Sequence, residues 1–237
     1  MGLCFEAIEA IAFLKRTGKL ADVRSMVELG NQHVRYQRAD VAALLTQFGV
    51  RQDSDQTTAM FYKSWGVGDY TAIDLNGEDG ALEFDLNTPF TSNGSFQKTF
   101  DFVTNFGTTE HCFNQAVAFE NIHNLTSVGG YMAHTLPSHG WNGHCFYRYD
   151  GNFFHDLAYK CGYEIVFLKY YARPITWKRY FKMITRNFPL RSRHNAKNNF
   201  DRAFSRDVLV TVVFRKTDKH FSYPIQGMYS ELEEKVS

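Results

Sequence analysis

Apolar residues near the start of the chain recur at helical spacing. Cys4, Phe5, Ile8, Ile11, Ala12 and Leu14 share one face, and Gly18 follows as a stop. The run Ser25–Leu29, closed by Gly30, has the length of a buried strand. A helix carrying Val41, Leu44, Leu45 and Phe48 is expected between a cap at Asp40 and a stop at Gly49, then a weaker helix through Trp65. Tyr70–Asp74 and Ala81–Asp85 form the second and third expected strands, and Phe100–Thr104 the fourth. A helix over 114–125 with Val117, Phe119, Ile122 and Leu125 inward leads to Gly129–Gly130, a turn into the strand Tyr131–Thr135. A helix over 151–160, a strand over 163–170 and the β-branched strand Val208–Phe214 complete the pattern. Strands alternating with helices imply right-handed crossovers and a mostly parallel α/β sheet covered on both faces.

One stretch breaks the rhythm. Residues 172–206 carry ten Lys or Arg against a single acid, Asp201, interleaved with Trp177, Tyr180, Phe181, Phe188, Phe200 and Phe204. Two readings are open: a solvated cap on the sheet, or a lid whose cations favour a carboxylate or phosphate on a substrate. The aromatic spacings of three and four favour the lid, since a stripe on a helix face needs apolar surface to cover. The rest of the chain supplies no second basic face: 26 Lys and Arg nearly balance 25 Asp and Glu. That argues against nucleic acid as a partner.

Composition narrows the class. With 237 residues, 44% hydrophobic and 22% charged, the chain suits one globular domain rather than a disordered segment. No apolar run approaches the roughly 20 residues that span a bilayer, so no membrane partner is expected. The first residues have no basic region followed by an apolar one, and the four cysteines show no CxxC spacing. A reduced, cytoplasmic protein is therefore expected; oligomeric state is not legible. The aromatic share, 16%, exceeds what a core of this size needs and points to a pocket lined by rings.

In an open parallel sheet, ligands lie beyond the carboxyl ends of the strands. The loops to inspect are Glu28-Leu-Gly30-Asn-Gln32, Asp74-Leu75-Asn, Asp85-Leu86-Asn and Asn105-Phe106-Gly-Thr-Thr-Glu-His111. A nucleoside needs close backbone approach, which Gly30 allows, an acid for ribose hydroxyls at Asp74, and an acceptor for an exocyclic amine at Asp85.

In their order and spacing these segments resemble the class I S-adenosylmethionine-dependent methyltransferases. Met-Val-Glu28-Leu-Gly30 is similar to their glycine loop, Ala-Ile-Asp74 to their ribose-binding acid and Glu-Phe-Asp85-Leu86 to their adenine segment. Asn105 with Thr109-Glu110-His111 is similar to their fourth strand and the segment after it, and the double glycine at 129–130 to the entry of their fifth. The resemblance covers about residues 23–170 and the last strand. It implies a Rossmann-like sheet of seven strands, mostly parallel, with an antiparallel last strand. Residues 1–22 would be a helical extension, 23–171 the core, 172–206 an insertion and 207–237 the last strand and tail. It also implies S-adenosylmethionine as cofactor, held by Glu28, Gly30, Gln32, Asp74, Leu75, Asp85, Leu86, Asn105 and Phe106. Gln32 and Val34 stand where the family usually has its second and third glycines, so Gln32 is expected either to hydrogen-bond the cofactor or to hold it farther off. Asn-Phe-Gly-Thr after the fourth strand differs from the Asn-Pro-Pro-aromatic signature of enzymes that methylate adenine amines.

Histidines gather where the acceptor would enter: His111, His134, His139 and His144. Their spacing matches no common metal motif, so none is expected to bind metal. An imidazole that titrates near neutrality suits the base that takes a proton from an attacking hydroxyl, and His139, His144 and His111 are the candidates. The expectation is methyl transfer to an oxygen or nitrogen of a small molecule; a non-catalytic binding protein on the same fold and an RNA-modifying enzyme are the alternatives.

Overall fold

A computed structural model describes residues 2–34, 39–46, 58–90, 98–141, 143–172 and 206–227. Nearly all of the basic segment 172–206, and the expected helix stop at Gly49, lie outside the described residues.

The elements run β1 (Gly2–Leu3), α1 (Phe5–Arg16), β2 (Ser25–Leu29), β3 (His33–Val34), α2 (Ala39–Thr46), α3 (Thr58–Lys63), β4 (Asp69–Asp74) and β5 (Leu82–Glu83). Then follow β6 (Phe100–Phe106), α4 (Gln115–Leu125), β7 (Thr126–His139), α5 (Gly151–Cys161), β8 (Glu164–Ala172) and β9 (Val208–Arg215). Seven of these strands form one sheet in the order β5-β4-β2-β6-β7-β9-β8. The pairs from β5 through β7 are parallel, and β9 runs antiparallel to both β7 and β8. This is the sheet the resemblance implied.

Alternation along the strands splits the core in two. Val27 and Leu29 face one way with Ile73, Val103 and Met132, against α4 and α5. Met26 faces the other way with Phe102, Phe106 and Ala133, against Ile8, Ile11 and Leu14 of α1 and Val41 and Leu45 of α2. Covered on both faces, β2 and β6 are buried at every position but Ser25 and Asp101. The N-terminal helix, residues 5–16, packs on the Met26 face of the sheet.

Local chemistry sets several boundaries. The side chain of Asn114 accepts from Val117 N at the start of α4, and Asp150 accepts from Asn152 N at the start of α5. Gly162, at φ 67°, ends α5. Three expectations shift. Val117 is only half-buried and Ala118 takes the core position, so the inward stripe is Ala118, Phe119, Ile122 and Leu125. The third strand shortens to Leu82–Glu83, and α2 begins at Ala39, one residue before the expected cap. Gly129–Gly130 lies within β7 rather than before it. A Cβ on Gly130 would stand 2.9 Å from the carbonyl oxygens of Asp101 and Ser127, so the strand passes too close to its neighbour for any side chain.

Candidate active site

The strand order reverses between β2 and β6: the chain leaves β2 toward β4 on one side, and β6 begins the other half of the sheet. Loops departing in opposite directions open a crevice at the carboxyl ends. A cavity of about 300 Å³ lies there, walled by the segments after β2, β4, β5 and β6.

The loop after β2 turns at Gly30, whose φ is +77° and whose N–H donates to Ile73 O at 2.7 Å. A Cβ at Gly30 would stand 2.5 Å from Oγ1 of Thr108. That hydroxyl donates to Leu29 O at 2.6 Å. Glycine is thus required by a crossing side chain from the β6 loop and by the left-handed backbone, a reason the sequence did not show. Next, Asn31 N donates to Oδ2 of Asp74 at 2.7 Å, and Asn31 Nδ2 to Glu78 O at 2.9 Å.

Gln32 is 3% exposed, lines the cavity, and has an Oε1 with no hydrogen-bond partner among the described residues. Behind it Glu28 is wholly buried. Its Oε2 accepts from Tyr70 Oη at 2.7 Å and from Gln32 N at 3.3 Å. Burial pushes this carboxyl up to about 7. Glu28 does not line the cavity; it braces the loop from beneath.

Asp74 ends β4 at the cavity wall, with Oδ1 accepting from Asn76 N at 3.3 Å besides the bond from Asn31. A carboxylate has about four acceptor sites, so capacity remains for a ligand. Asp85 gives Oδ1 to the backbone and side-chain nitrogens of Asn87, at 2.9 and 2.7 Å. Phe84 stacks on Phe90 with centroids 3.9 Å apart and planes 8° from parallel. Together with Leu75, 67% exposed at the mouth, and buried Leu86, Phe84 makes the apolar wall.

At the end of β6, Asn105 and Phe106 turn away from the cavity. Asn105 is buried: Oδ1 accepts from Thr109 N at 3.1 Å, and Nδ2 donates to Thr109 Oγ1 at 2.8 Å while lying 3.1 Å from His134 Nδ1. Phe106 packs in the α1 core. Gly107 and Thr108 line the cavity instead, then His111 and Cys112.

The histidines separate. His134 is wholly buried, and desolvation pushes its imidazole down to about 3, a core residue. His139, exposed, closes β7 opposite Val208. His111 and His144 meet, rings 5.1 Å apart at 74°, and Trp141 lies 5.1 Å from His144. Burial also lowers the pKa of His111 below the usual histidine value. Two long-range links hold the loop after β7 here. Phe146 N and Tyr147 N donate to Glu110 O at 3.0 and 3.2 Å, and Trp141 N donates to Asp207 Oδ1 at 3.1 Å. Phe113 and Phe146, 72% and 70% exposed, meet edge to face at 6.0 Å beside this loop.

Seven of the expected residues therefore share the cavity: Gly30, Gln32, Asp74, Leu75, Asp85, Leu86 and His111. Sequence reasoning missed Asn31, Phe84 and Thr108 as wall residues. Phe84 was legible as a ring beside an acid at a strand end; Thr108 carried no signal.

No family model matches the chain, and no curated protein matches its sequence. Solved structures do. The N-methyltransferase NodS of Bradyrhizobium japonicum, solved with S-adenosyl-l-homocysteine, aligns at 12% identity with TM-score 0.46, over 90% of this chain and 87% of that one. The 1,6-didemethyltoxoflavin-N1-methyltransferase of Burkholderia thailandensis aligns at 13% identity and TM-score 0.44, over 90% and 79%. The StiE O-MT aligns at 12% and 0.44, over 90% and 75%. The chain's own strand order, antiparallel last strand and cleft at the switch point make a Rossmann-like, mostly parallel sheet of seven strands, as the resemblance implied.

Proposed function

We propose that this chain is an S-adenosylmethionine-dependent methyltransferase acting on an oxygen or nitrogen of a small molecule. The observation that carries the reading is the convergence of Asp74, Asp85 and the Gly30–Gln32 loop on one cavity at the switch point of the sheet. Asp74 would accept from the ribose hydroxyls, as an acid does at the end of the second strand of a nucleotide-binding unit. Asp85 would accept from the adenine amine, with Phe84 and Leu75 on the apolar faces of the base. The buried Oε1 of Gln32, without a partner among the described residues, fits a donor on the methionine part, such as its ammonium. When bound, the cofactor supplies a sulfonium methyl that is already electrophilic.

The chain's part in the reaction is mainly positioning. His111 stands at the cavity edge toward the loop after β7, where an acceptor would enter. Because burial depresses its pKa, the imidazole is neutral at pH 7 and able to take a proton from an acceptor hydroxyl. Phe113 and Phe146 offer rings at the rim for a flat or apolar acceptor. Among the described residues no helix is long and apolar enough to cross a membrane.

The test is calorimetric titration of the full chain with S-adenosylhomocysteine. Saturable binding at one site, weakened by Asp74→Ala, is expected. A parent protein that binds neither this product nor S-adenosylmethionine overturns the reading.

A further inference from the structure

Beside the cofactor cavity lies a cluster that the sequence spacing concealed. Glu110, His111 and His144 place one carboxylate oxygen and two imidazole nitrogens within 4.8 Å of one another. Glu110 is 0% exposed, and among the described residues neither of its carboxylate oxygens has a hydrogen-bond partner from another residue. Its Oε1 lies 3.9 Å from Nε2 of His111. A buried carboxylate with both oxygens unsatisfied is costly unless something cationic shares the space. The backbone holds the set together: the bonds from Phe146 N and Tyr147 N to Glu110 O bring the loop that bears His144 onto the turn that bears Glu110 and His111.

We propose that Glu110, His111 and His144 form a binding site for a divalent first-row transition metal ion, with zinc or manganese as the occupant. Two imidazoles and one carboxylate form a donor set suited to these ions, and three protein ligands leave a coordination position open. Metal–ligand bonds of about 2.1 Å put ligand atoms roughly 3–3.5 Å apart, so modest side-chain rotations close the cluster. His111 also lines the cofactor cavity, so the open position faces the boundary between that cavity and the aromatic rim of Phe113 and Phe146.

The site's role rests on the methyl-transfer reading, and it narrows the acceptor to an oxygen acid: an alcohol, phenol or enol that reaches the ion. Coordination lowers the pKa of such a hydroxyl, which then releases its proton to solvent water. Its oxygen lone pair forms the new C–O bond as the methyl C–S bond breaks, and that electron pair stays on sulfur as a neutral thioether. His111 and His144 then hold the ion instead of receiving the proton.

The experiment titrates zinc, and separately manganese, into the chelator-treated full chain by calorimetry, with S-adenosylhomocysteine titrated into the same preparations. One ion per chain is expected. His111→Asn and His144→Gln, which keep a polar side chain, should each weaken binding at least tenfold, as should Glu110→Gln if it folds. His155→Gln, at an exposed position on α5, should stay within twofold of the parent. Absence of saturable binding of either ion, or parental affinity in both histidine variants, overturns the site. If the homocysteine product binds and the ions do not, this inference alone fails. If the ions bind and the product does not, the site stands and the methyl-transfer reading falls.

Discussion

The backbone N–H of Asn31 donates to Oδ2 of Asp74 at 2.7 Å, joining the loop after β2 to the end of β4. A charge-assisted bond of this length fixes both partners at the switch point. It aims one oxygen of Asp74 inward at the loop and gives the cavity its first wall before any ligand arrives. The glycine turn and the acid are thus one unit, and perturbing either moves the other.

Asp74→Ala should therefore weaken binding of S-adenosylhomocysteine by about 1–3 kcal/mol, roughly 5- to 150-fold, as the charged acceptor is lost. Asp74→Asn keeps an oxygen for Asn31 N and should lose less. Calorimetry of the three proteins checks the order, and parental affinity in the alanine variant would remove Asp74 from the site.

Gly30→Ala should destabilise the fold by about 2–4 kcal/mol, combining the left-handed backbone with the approach of its Cβ to Thr108 Oγ1. In the double variant Gly30→Ala, Thr108→Ala the clash with Thr108 disappears, while the 3.0 Å approach to Gln32 Nε2 and the backbone part, about 1–2 kcal/mol, stay. Urea unfolding of the double-mutant cycle measures the coupling. Strict additivity would mean that Thr108 is not what excludes a side chain at 30.

Glu28 carries a pH signature. Its carboxyl is raised from the ordinary 4.5 to about 7 in the fold, so between those values the folded chain keeps a proton that the unfolded chain has released. Stability is present in full below pH 4.5 and is lost as pH rises through about 7, by up to about 3 kcal/mol. His134 acts in the opposite sense: held down at about 3 against the usual 6.5, it costs stability as pH falls through that interval. The difference between parent and Glu28→Gln isolates the first group. The variant's melting temperature relative to the parent should rise from pH 5 to pH 8; a constant difference would contradict a protonated Glu28.

His111→Gln should lower methyl-transfer turnover by about 10²–10⁴-fold, the range for losing a group that promotes release of the acceptor proton, as its base or as a ligand of the ion that acidifies it. Affinity for S-adenosylhomocysteine should change less than tenfold, since Asp74 and Asp85 remain. In the parent the rate should fall as pH drops through the His111 pKa, which burial places below the usual histidine value. Turnover close to parental in this variant would remove His111 from the reaction.

Much of this molecule follows from local pattern. The helix over 5–16, the strands at 25–29 and 208–215 and the capped helices α4 and α5 come from periodicity, turn glycines and Asx caps, which act within a few residues. The parallel sheet follows from their alternation, because a crossover helix permits few other arrangements. Asp74 and Asp85 were legible because the ends of parallel strands are where ligands bind, whatever the ligand.

What reaches across the chain was not legible. Glu28 and Asp74 are both acids at or near strand ends, yet one is sealed beneath Gln32 and Tyr70 while the other faces the cavity. Strand phase and packing decide that, and residue type does not. Asn105 and Phe106 leave the site because alternation in β6 points one at Thr109 and His134 and the other at α1. His111 and His144 are 33 positions apart with no motif between them; they meet because Glu110 O takes two backbone hydrogens from the loop after β7. Chemistry that depends on neighbours in sequence is written in the chain's pattern. Chemistry that depends on loops from different strands converging exists only once the sheet has closed its register and brought them together.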